Sequence, residues 1–335
     1  MPNLITDVAG VRVGNAHDVA VASGVTVAVF DGQATVSVSV QGGAPGSRDT
    51  ALLEPEIVLQ TIDAVVLSGG SLFGLDAAGG VVNALSQWGW GFEIGGVRVP
   101  IASQAILFDL INGGEKPWLA DPANNQPPYW ALGREATLAV GESFALGSVG
   151  AGYGATTVNL KGGLGSASMQ TSSGHVVGAL VVVNAVGSTV IGDGPHFWAG
   201  ALERGKEFGG VGWSASVSEA ALAPRFKGGA PPSTTIGLVA TDATLTKAEC
   251  KRLAIMAHDG LARALRPTHA PMDGDTVFAA ATGRNAAVVD PVRLTELGMA
   301  AADCVARAIA RGVYEATALP FPGALPAWKD RFGRR

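Results

Sequence analysis

Along residues 24–40, β-branched side chains recur at short intervals in GVTVAVF (24–30) and ATVSVSV (34–40), with Asp31-Gly32-Gln33 between them. A period near two on either side of a glycine-containing turn predicts a β-hairpin. The stretch TIDAVVLSGGSLFGLDAAGGVVNALSQWG (61–89) reads as a strand, a glycine turn and a helix from about Ser71. Small residues at Gly74, Ala77, Ala78 and Gly80 let that helix lie close to a neighbour. The chain returns as a strand in GGVRVPIASQAILFDL (95–110), then turns Pro- and Asn-rich over 112–133, the composition of a surface excursion. A glycine-dense run, GSVGAGYGATTVNLKGGLGSAS (147–168), precedes HVVGALVVVNAVGS (175–188), a buried strand that ends at Asn184.

Periodicity fades from Gly192 to Ser233, and APRFKGGAPPS (223–233) has the composition of a linker. Beyond it the pattern sharpens. TTIGLVA (234–240) predicts a strand, and Thr246 and Glu249 stand at capping-box spacing before a helix. Cys250, Leu253, Ala254, Ala257, Leu261 and Leu265 follow that helix's 3.6-residue period. DTVFAAAT (275–282) predicts another strand, and Asp290-Pro291 opens another helix with a cap and a proline at its first position. That helix buries a stripe from Leu297 through Ala300, Ala301, Cys304, Val305 and Ala308 to Ile309. With no second linker in view, residues 1–335 are expected to form one domain of helices layered on sheets.

Composition narrows the function classes. Hydrophobic residues make up 47% of the chain and charged residues 15%, which suits a large core and an oligomer that covers further surface. Only 23 Lys and Arg residues and a net charge of −5 argue against nucleic acid or an anionic membrane as partner. The opening MPNLITDVAGVRVG lacks the basic and apolar regions of a secretory signal, and no apolar run reaches the ~18 residues of a membrane span. Cys250 and Cys304 fall at apolar helical positions and read as reduced core thiols, so the expected location is cytoplasmic.

The common cofactor and catalytic signatures are missing. SGGSLFGLDAAGG (68–80) lacks the Gly-Lys-Ser/Thr ending of a phosphate loop, and the run around Lys161 opens no helix. The histidines show neither His-x-x-x-His nor Glu-x-x-His spacing, and the Asp273/Asp275 turn reads as a turn cap, so no metal and no other cofactor is expected. No Gly-x-Ser-x-Gly elbow occurs. What remains is the hydroxyl cluster Ser233-Thr234-Thr235 where the linker becomes a buried strand. Taken locally, it is simply the β-branched start of a strand.

Taken with the rest of the chain, the cluster acquires a role. ITDVAGVRVGNAHD, LSGGSLFGLDAAGGV, LKGGLGSAS, VVVNAVGS, TTIGLVATDATLTKAEC and MDGDTVFAAATG occur in that order. This series resembles the self-cleaving N-terminal-nucleophile hydrolases that include D-aminopeptidases/esterases, β-peptidyl aminopeptidases and the nylon-oligomer endo-hydrolase. The TTI…MDGDT blocks resemble the last branch most. The resemblance implies an α/β fold, a layered αββα sandwich, and a homotetramer of processed protomers. It also implies a cut between Ser233 and Thr234 that leaves fragments 1–233 and 234–335.

By the same resemblance Thr234 is the nucleophile and Asn184 donates to the oxyanion. Lys161 sits near the Thr234 hydroxyl, Asp273 and Asp275 orient the α-ammonium and hydroxyl, and Tyr153 belongs to the pocket. A threonine hydroxyl needs a base, and the amine freed by the cut, with an ordinary pKa of ~7.7–8.0, supplies one on the same residue.

Two positions depart from the family. Ser233 stands where the nylon-oligomer enzyme has Asn, and Ile101 and Ser103 put no carboxylate where the aminopeptidases hold the substrate amine. The leading expectation is therefore an amidohydrolase acting on peptides or linear amides, including 6-aminohexanoate oligomers. A strict aminopeptidase, an acyltransferase of related architecture and a non-cleaving relative stand as alternatives.

Overall fold

The computed structural model describes residues 1–227 and 233–333. Residues 228–232, most of the second half of the expected linker, lie outside the described residues. In chain order the strands are β1 (Val11–Asp18), β2 (Ser23–Val40), β3 (Ser47–Arg48), β4 (Thr61–Ser68), β5 (Phe92–Ile94) and β6 (Val97–Val99). They continue with β7 (Ala102–Ile106), β8 (Gly163–Gln170), β9 (Val176–Asn184), β10 (Thr234–Ala243) and β11 (Thr276–Asn285). The helices are α1 (Ala77–Gln87), α2 (Tyr129–Leu138), α3 (Glu219–Leu222), α4 (Lys247–Ala264), α5 (Pro291–Tyr314) and α6 (Trp328–Phe332).

Hydrogen bonding joins nine strands in the order β3-β7-β4-β2-β11-β10-β9-β8, with β1 also on β2. The expected hairpin at 24–40 is instead one continuous strand. Asp31-Gly32-Gln33 forms a bulge, with Gly32 and Gln33 at φ 82° and 68°, and the pairing to β4 slips between Val29 and Ala34. The two halves cannot pair with each other because other strands occupy them. Residues 23–30 of β2 pair with β1 and residues 35–40 pair with β11. The bulge thus bends one strand from one sheet layer into the next.

Burial follows from this bend. Along β2 and β4, Val27, Val29, Ala64 and Val66 face α1 and α2, whereas Ala28, Phe30, Val65 and Leu67 face the other way. Those second residues share a core with Leu164, Leu180, Val182, Ile236, Leu238 and Phe278 from β8 to β11. The opposite face of the same strands, with Ala179, Val181, Val239, Val277 and Ala279, packs on α4 and α5. Period-two alternation gives each sheet layer two apolar faces, and three apolar interiors separate four layers. The fold is a mixed α/β sandwich ordered helix, sheet, sheet, helix.

The C-terminal elements follow their sequence signals. Thr246 and Glu249 close the capping box at α4, and Asp290 Oδ1 accepts from Arg293 N at 2.8 Å at the start of α5. Cys250 and Cys304 are buried and unpaired. Among the described residues no helix is long and apolar enough to cross a membrane. The β10–α4–β11 crossover sets β10 and β11 parallel, with Ile236 opposite Thr276. Their N-terminal ends therefore meet at one edge, beside the C-terminal end of antiparallel β9.

Candidate active site

Sheet register brings the first sequence-expected residues together. Thr234, the first residue of β10, is the cross-strand partner of Asn184, the last residue of β9. On the other side of β10, Ser233 pairs with Asp273, just upstream of β11. All four are buried, and Thr234 is only 4% exposed. Asp275 adjoins β11 and is fully buried.

The Ser233–Thr234 bond is held in a distinctive way. Thr234 Oγ1 donates to the Ser233 carbonyl at 2.5 Å, and Gly274 N–H donates to the same oxygen at 3.0 Å. The carbonyl thus carries a backbone donor that would stabilise negative charge on its oxygen, while the hydroxyl of the next residue lies against it. Gly274 is needed for this approach. A Cβ there would lie 2.7 Å from Thr234 Oγ1 and 2.9 Å from the Ala44 carbonyl oxygen.

The two carboxyls near the bond differ. Asp275 Oδ1 accepts from Thr235 N–H at 2.8 Å, and Oδ2 accepts from Thr268 Oγ1, His269 N–H and His269 Nδ1 at 2.8, 3.0 and 2.8 Å. Burial pushes its pKa up, but the hydrogen bonds from His269 and Thr235 outweigh burial and hold it below the usual carboxylate range. Asp273 shifts the opposite way, raised by burial and by the negative charge of Asp275. Its Oδ1 finds no hydrogen-bond partner among the described residues. The two carboxyls therefore shift in opposite directions, Asp275 toward the ionised form and Asp273 toward the protonated one.

Asn184 and Lys227, which is half-buried, adjoin the cluster, whereas the ammonium of buried Lys161 bonds only to the glycine-rich loop among the described residues. Asn184 Oδ1 accepts from Thr156 N–H at 3.0 Å and from Lys227 Nζ at 2.8 Å, and its Nδ2 donates to the Phe108 carbonyl at 3.0 Å. Lys227 Nζ also donates to the Thr156 carbonyl at 3.1 Å. Burial lowers the Lys227 pKa to about 8, with Asp109 and Asp273 opposing the fall. Lys161 Nζ donates to the carbonyls of Gly152, Ala155 and Gly162 at 2.9, 2.8 and 3.0 Å. All three of its donors are thereby used to brace the glycine-rich loop. Burial lowers its pKa to about 7 against the pull of Asp109, and Lys227 adds to the fall.

A cavity of about 300 Å³ opens beside this cluster, walled by Phe108, Asp109, Asn112, Thr156, Lys227 and residues 322–325. Tyr153 is not in its wall. Its ring stacks on His17 at 4.5 Å between centroids and packs with Ala22 and Leu319. Ile101 and Ser103 do not border the cavity either, and Ser103 Oγ donates to the Asp49 carbonyl at 3.3 Å. The acidic residue that does border it is Asp109, whose two oxygens accept from Gly70 N–H and Ser23 Oγ, both at 2.7 Å.

Sequence reasoning passed over Lys227, Gly274 and Thr156, and weighed His269 only as a metal ligand beside Asp273 and Asp275, a reading it set aside. Lys227 lay inside an apparent linker, and Gly274 looked like an ordinary turn residue. Their one legible signal was proximity, since Lys227 precedes the hydroxyl cluster and Gly274 separates the two aspartates.

Comparison with known proteins identifies a family and a shared fold. The family model described as peptidase family S58 covers residues 3–324. An uncharacterised aminopeptidase of Mycobacterium tuberculosis is 41% identical over 354 residues, covering 98% of this chain and 98% of that protein. The 6-aminohexanoate-oligomer endohydrolase of a Kocuria species is 29% identical over 291 residues, covering 82% of this chain and 74% of that one. Among solved structures, a Burkholderia β-aminopeptidase superposes with a TM-score of 0.68 at 22% identity, covering 99% of this chain and 92% of its own. The L-aminopeptidase D-Ala-esterase/amidase of Ochrobactrum anthropi, described as a variant of the Ntn hydrolase fold, gives a TM-score of 0.69 at 21% identity, with 98% and 91% covered.

Proposed function

The chain belongs to peptidase family S58 and is a hydrolase of peptide or amide bonds, and we propose that it works as a self-cleaving enzyme with Thr234 as N-terminal nucleophile. The observation that carries this reading is the 2.5 Å contact between Thr234 Oγ1 and the Ser233 carbonyl oxygen, which also accepts from Gly274 N–H. In the uncut chain Thr234 Oγ attacks the Ser233 carbonyl carbon, and Gly274 N–H stabilises the oxyanion. The C–N bond breaks, the proton given up by the Thr234 hydroxyl passes to the Thr234 nitrogen, and an ester joins Ser233 to the threonine oxygen. Water then hydrolyses the ester, leaving a Ser233 carboxylate and a free Thr234 amine.

Turnover uses the group that cleavage creates. The α-amine of Thr234 accepts the hydroxyl proton as Oγ attacks a substrate amide, and later delivers a proton to the leaving amine. Asn184 Nδ2 donates to the oxyanion, one such donor being worth ~3–4 kcal/mol in the transition state. Asp275 holds the N-terminal end of β10 through Thr235 N–H, and Asp273 faces the new ammonium. Lys161 supports the loop behind the site. The cavity beside Lys227 takes the acyl part of the substrate. A narrower aminopeptidase reading is favoured by the 41% identity to proteins named as aminopeptidases.

Intact-mass analysis of purified protein tests the cleavage. Fragments 1–233 and 234–335 are expected, with Thr234→Ala staying whole and inactive on both aminoacyl p-nitroanilides and 6-aminohexanoate oligomers. A full-length chain with undiminished amide hydrolysis would sink the reading.

A further inference from the structure

Lys227 is a half-buried cation on the cavity wall with no place in the chemistry above, yet its ammonium is within hydrogen-bond distance of a residue in that chemistry. Its Nζ lies 2.8 Å from Asn184 Oδ1 and 3.1 Å from the Thr156 carbonyl. Its own backbone is pinned, since Lys227 N–H donates to the Val186 carbonyl at 3.1 Å. The lysine is therefore tied to the segment just after β9 independently of the chain that follows it. A cut after Ser233 leaves that tie in place.

The contact fixes which way the Asn184 carboxamide faces. A primary amide has an accepting oxygen at one end and an NH₂ with two donor hydrogens at the other, and rotating it half a turn exchanges them. Asn184 Oδ1 accepts from both Thr156 N–H and Lys227 Nζ, so the opposite rotamer would set an NH₂ group against an N–H and an ammonium. The amide hydrogens consequently point the other way, where the Phe108 carbonyl takes one and leaves one for a substrate oxygen. A cation on the oxygen of an amide also draws electron density toward that oxygen, which makes the N–H groups stronger donors.

We propose that Lys227 is a positioning residue for hydrolysis: through Asn184 Oδ1 it orients and polarises the carboxamide whose N–H stabilises the oxyanion of the substrate. This rests on the assignment of Asn184 in the proposed function. The effect of Lys227 is expected on hydrolysis rather than on self-cleavage, because Gly274 N–H already serves the Ser233 carbonyl.

The test combines a double-mutant cycle with the processed enzyme's kinetics. Lys227→Met is expected to yield the same two fragments as the parent. It should lower kcat about 10- to 100-fold with KM changed less than about threefold, the pattern of an interaction realised in the transition state. Lys227→Arg, which keeps a cation with suitable donors, should recover much of the loss. Added to Asn184→Ala, Lys227→Met should cost little more, since it acts through the missing carboxamide. An unchanged kcat in Lys227→Met overturns the proposal. So does a loss confined to KM, which would make Lys227 a substrate anchor, and so does failure of both Lys227→Met and Lys227→Arg to cleave. Full activity in Asn184→Ala alone would instead remove the assignment of Asn184 on which the inference stands.

Discussion

At the scale of residues, the site depends on how closely a turn approaches a hydroxyl. Gly274 supplies the N–H on the Ser233 carbonyl and also leaves the room that Thr234 occupies. Gly274→Ala would put a methyl 2.7 Å from Thr234 Oγ1, closer than van der Waals contact allows, and the Ala44 carbonyl at 2.9 Å blocks relief on the other side. The hydroxyl would move off its line to the carbonyl. Self-cleavage should slow by about 100-fold, the scale expected for a displacement of an ångström in a reacting pair. A time course of fragment appearance on a gel measures it, with circular dichroism checking that the fold persists; cleavage at the parental rate would refute the steric argument. Thr234, Asn184 and the aspartates were singled out by the family resemblance alone, since the local pattern reads them as a strand start, a strand end and turn caps. Lys227 was not, because its place in the site comes from contacts with Thr156 and Asn184, far from it along the chain.

At the scale of elements, local signals located most segments but not their partners. The Thr246 capping box and the Asp290-Pro291 start were readable because capping involves residues three apart, within reach of local sequence. The bend of β2 was not. A glycine-containing break between two β-branched runs suits a hairpin or a bulge equally well, and only β1, β4 and β11 decide between them. The layer of α5 on β8 shows how tightly such partners fit. A Cβ at Gly165 would lie 1.8 Å from the Ala308 carbonyl oxygen and 2.7 Å from Gly312 N. Gly165→Ala must push the helix from the sheet, and overpacking of this kind costs about 1–3 kcal/mol. Urea unfolding of the purified variant should show a midpoint lowered accordingly; an unmoved midpoint would mean that the layers slide apart freely.

At the scale of the whole molecule, burial of one histidine links stability to pH. His258, on α4, meets the Ser39 carbonyl of β2 through Nε2 at 3.0 Å, and its ring lies 4.9 Å from that of His269, which holds Asp275. Burial lowers its pKa to about 4, outweighing the hydrogen bond to Ser39 and the nearby Asp275, with His269 adding to the fall. Between pH 6.5 and 4 the unfolded chain therefore binds a proton that the folded one refuses. Stability from this group is complete above pH 6.5 and falls as the pH drops toward 4, by up to about 3 kcal/mol. His258→Gln should shrink the decline in melting temperature between pH 7 and pH 4.5. A decline as steep as the parent's would place the acid sensitivity elsewhere.

The sequence by itself determined the local alphabet of this protein. Period-two and 3.6-residue patterns specify strands and helices through nearest neighbours, and an ordered series of blocks marks the family. Tertiary structure alone decided which ends of those elements meet. Thr234 faces Asn184 because β10 lies antiparallel to β9, and Gly274 reaches the Ser233 carbonyl because the α4 crossover sets β11 parallel to β10. Register and crossover depend on burying apolar faces from distant stretches at once, a condition that no local window of sequence contains.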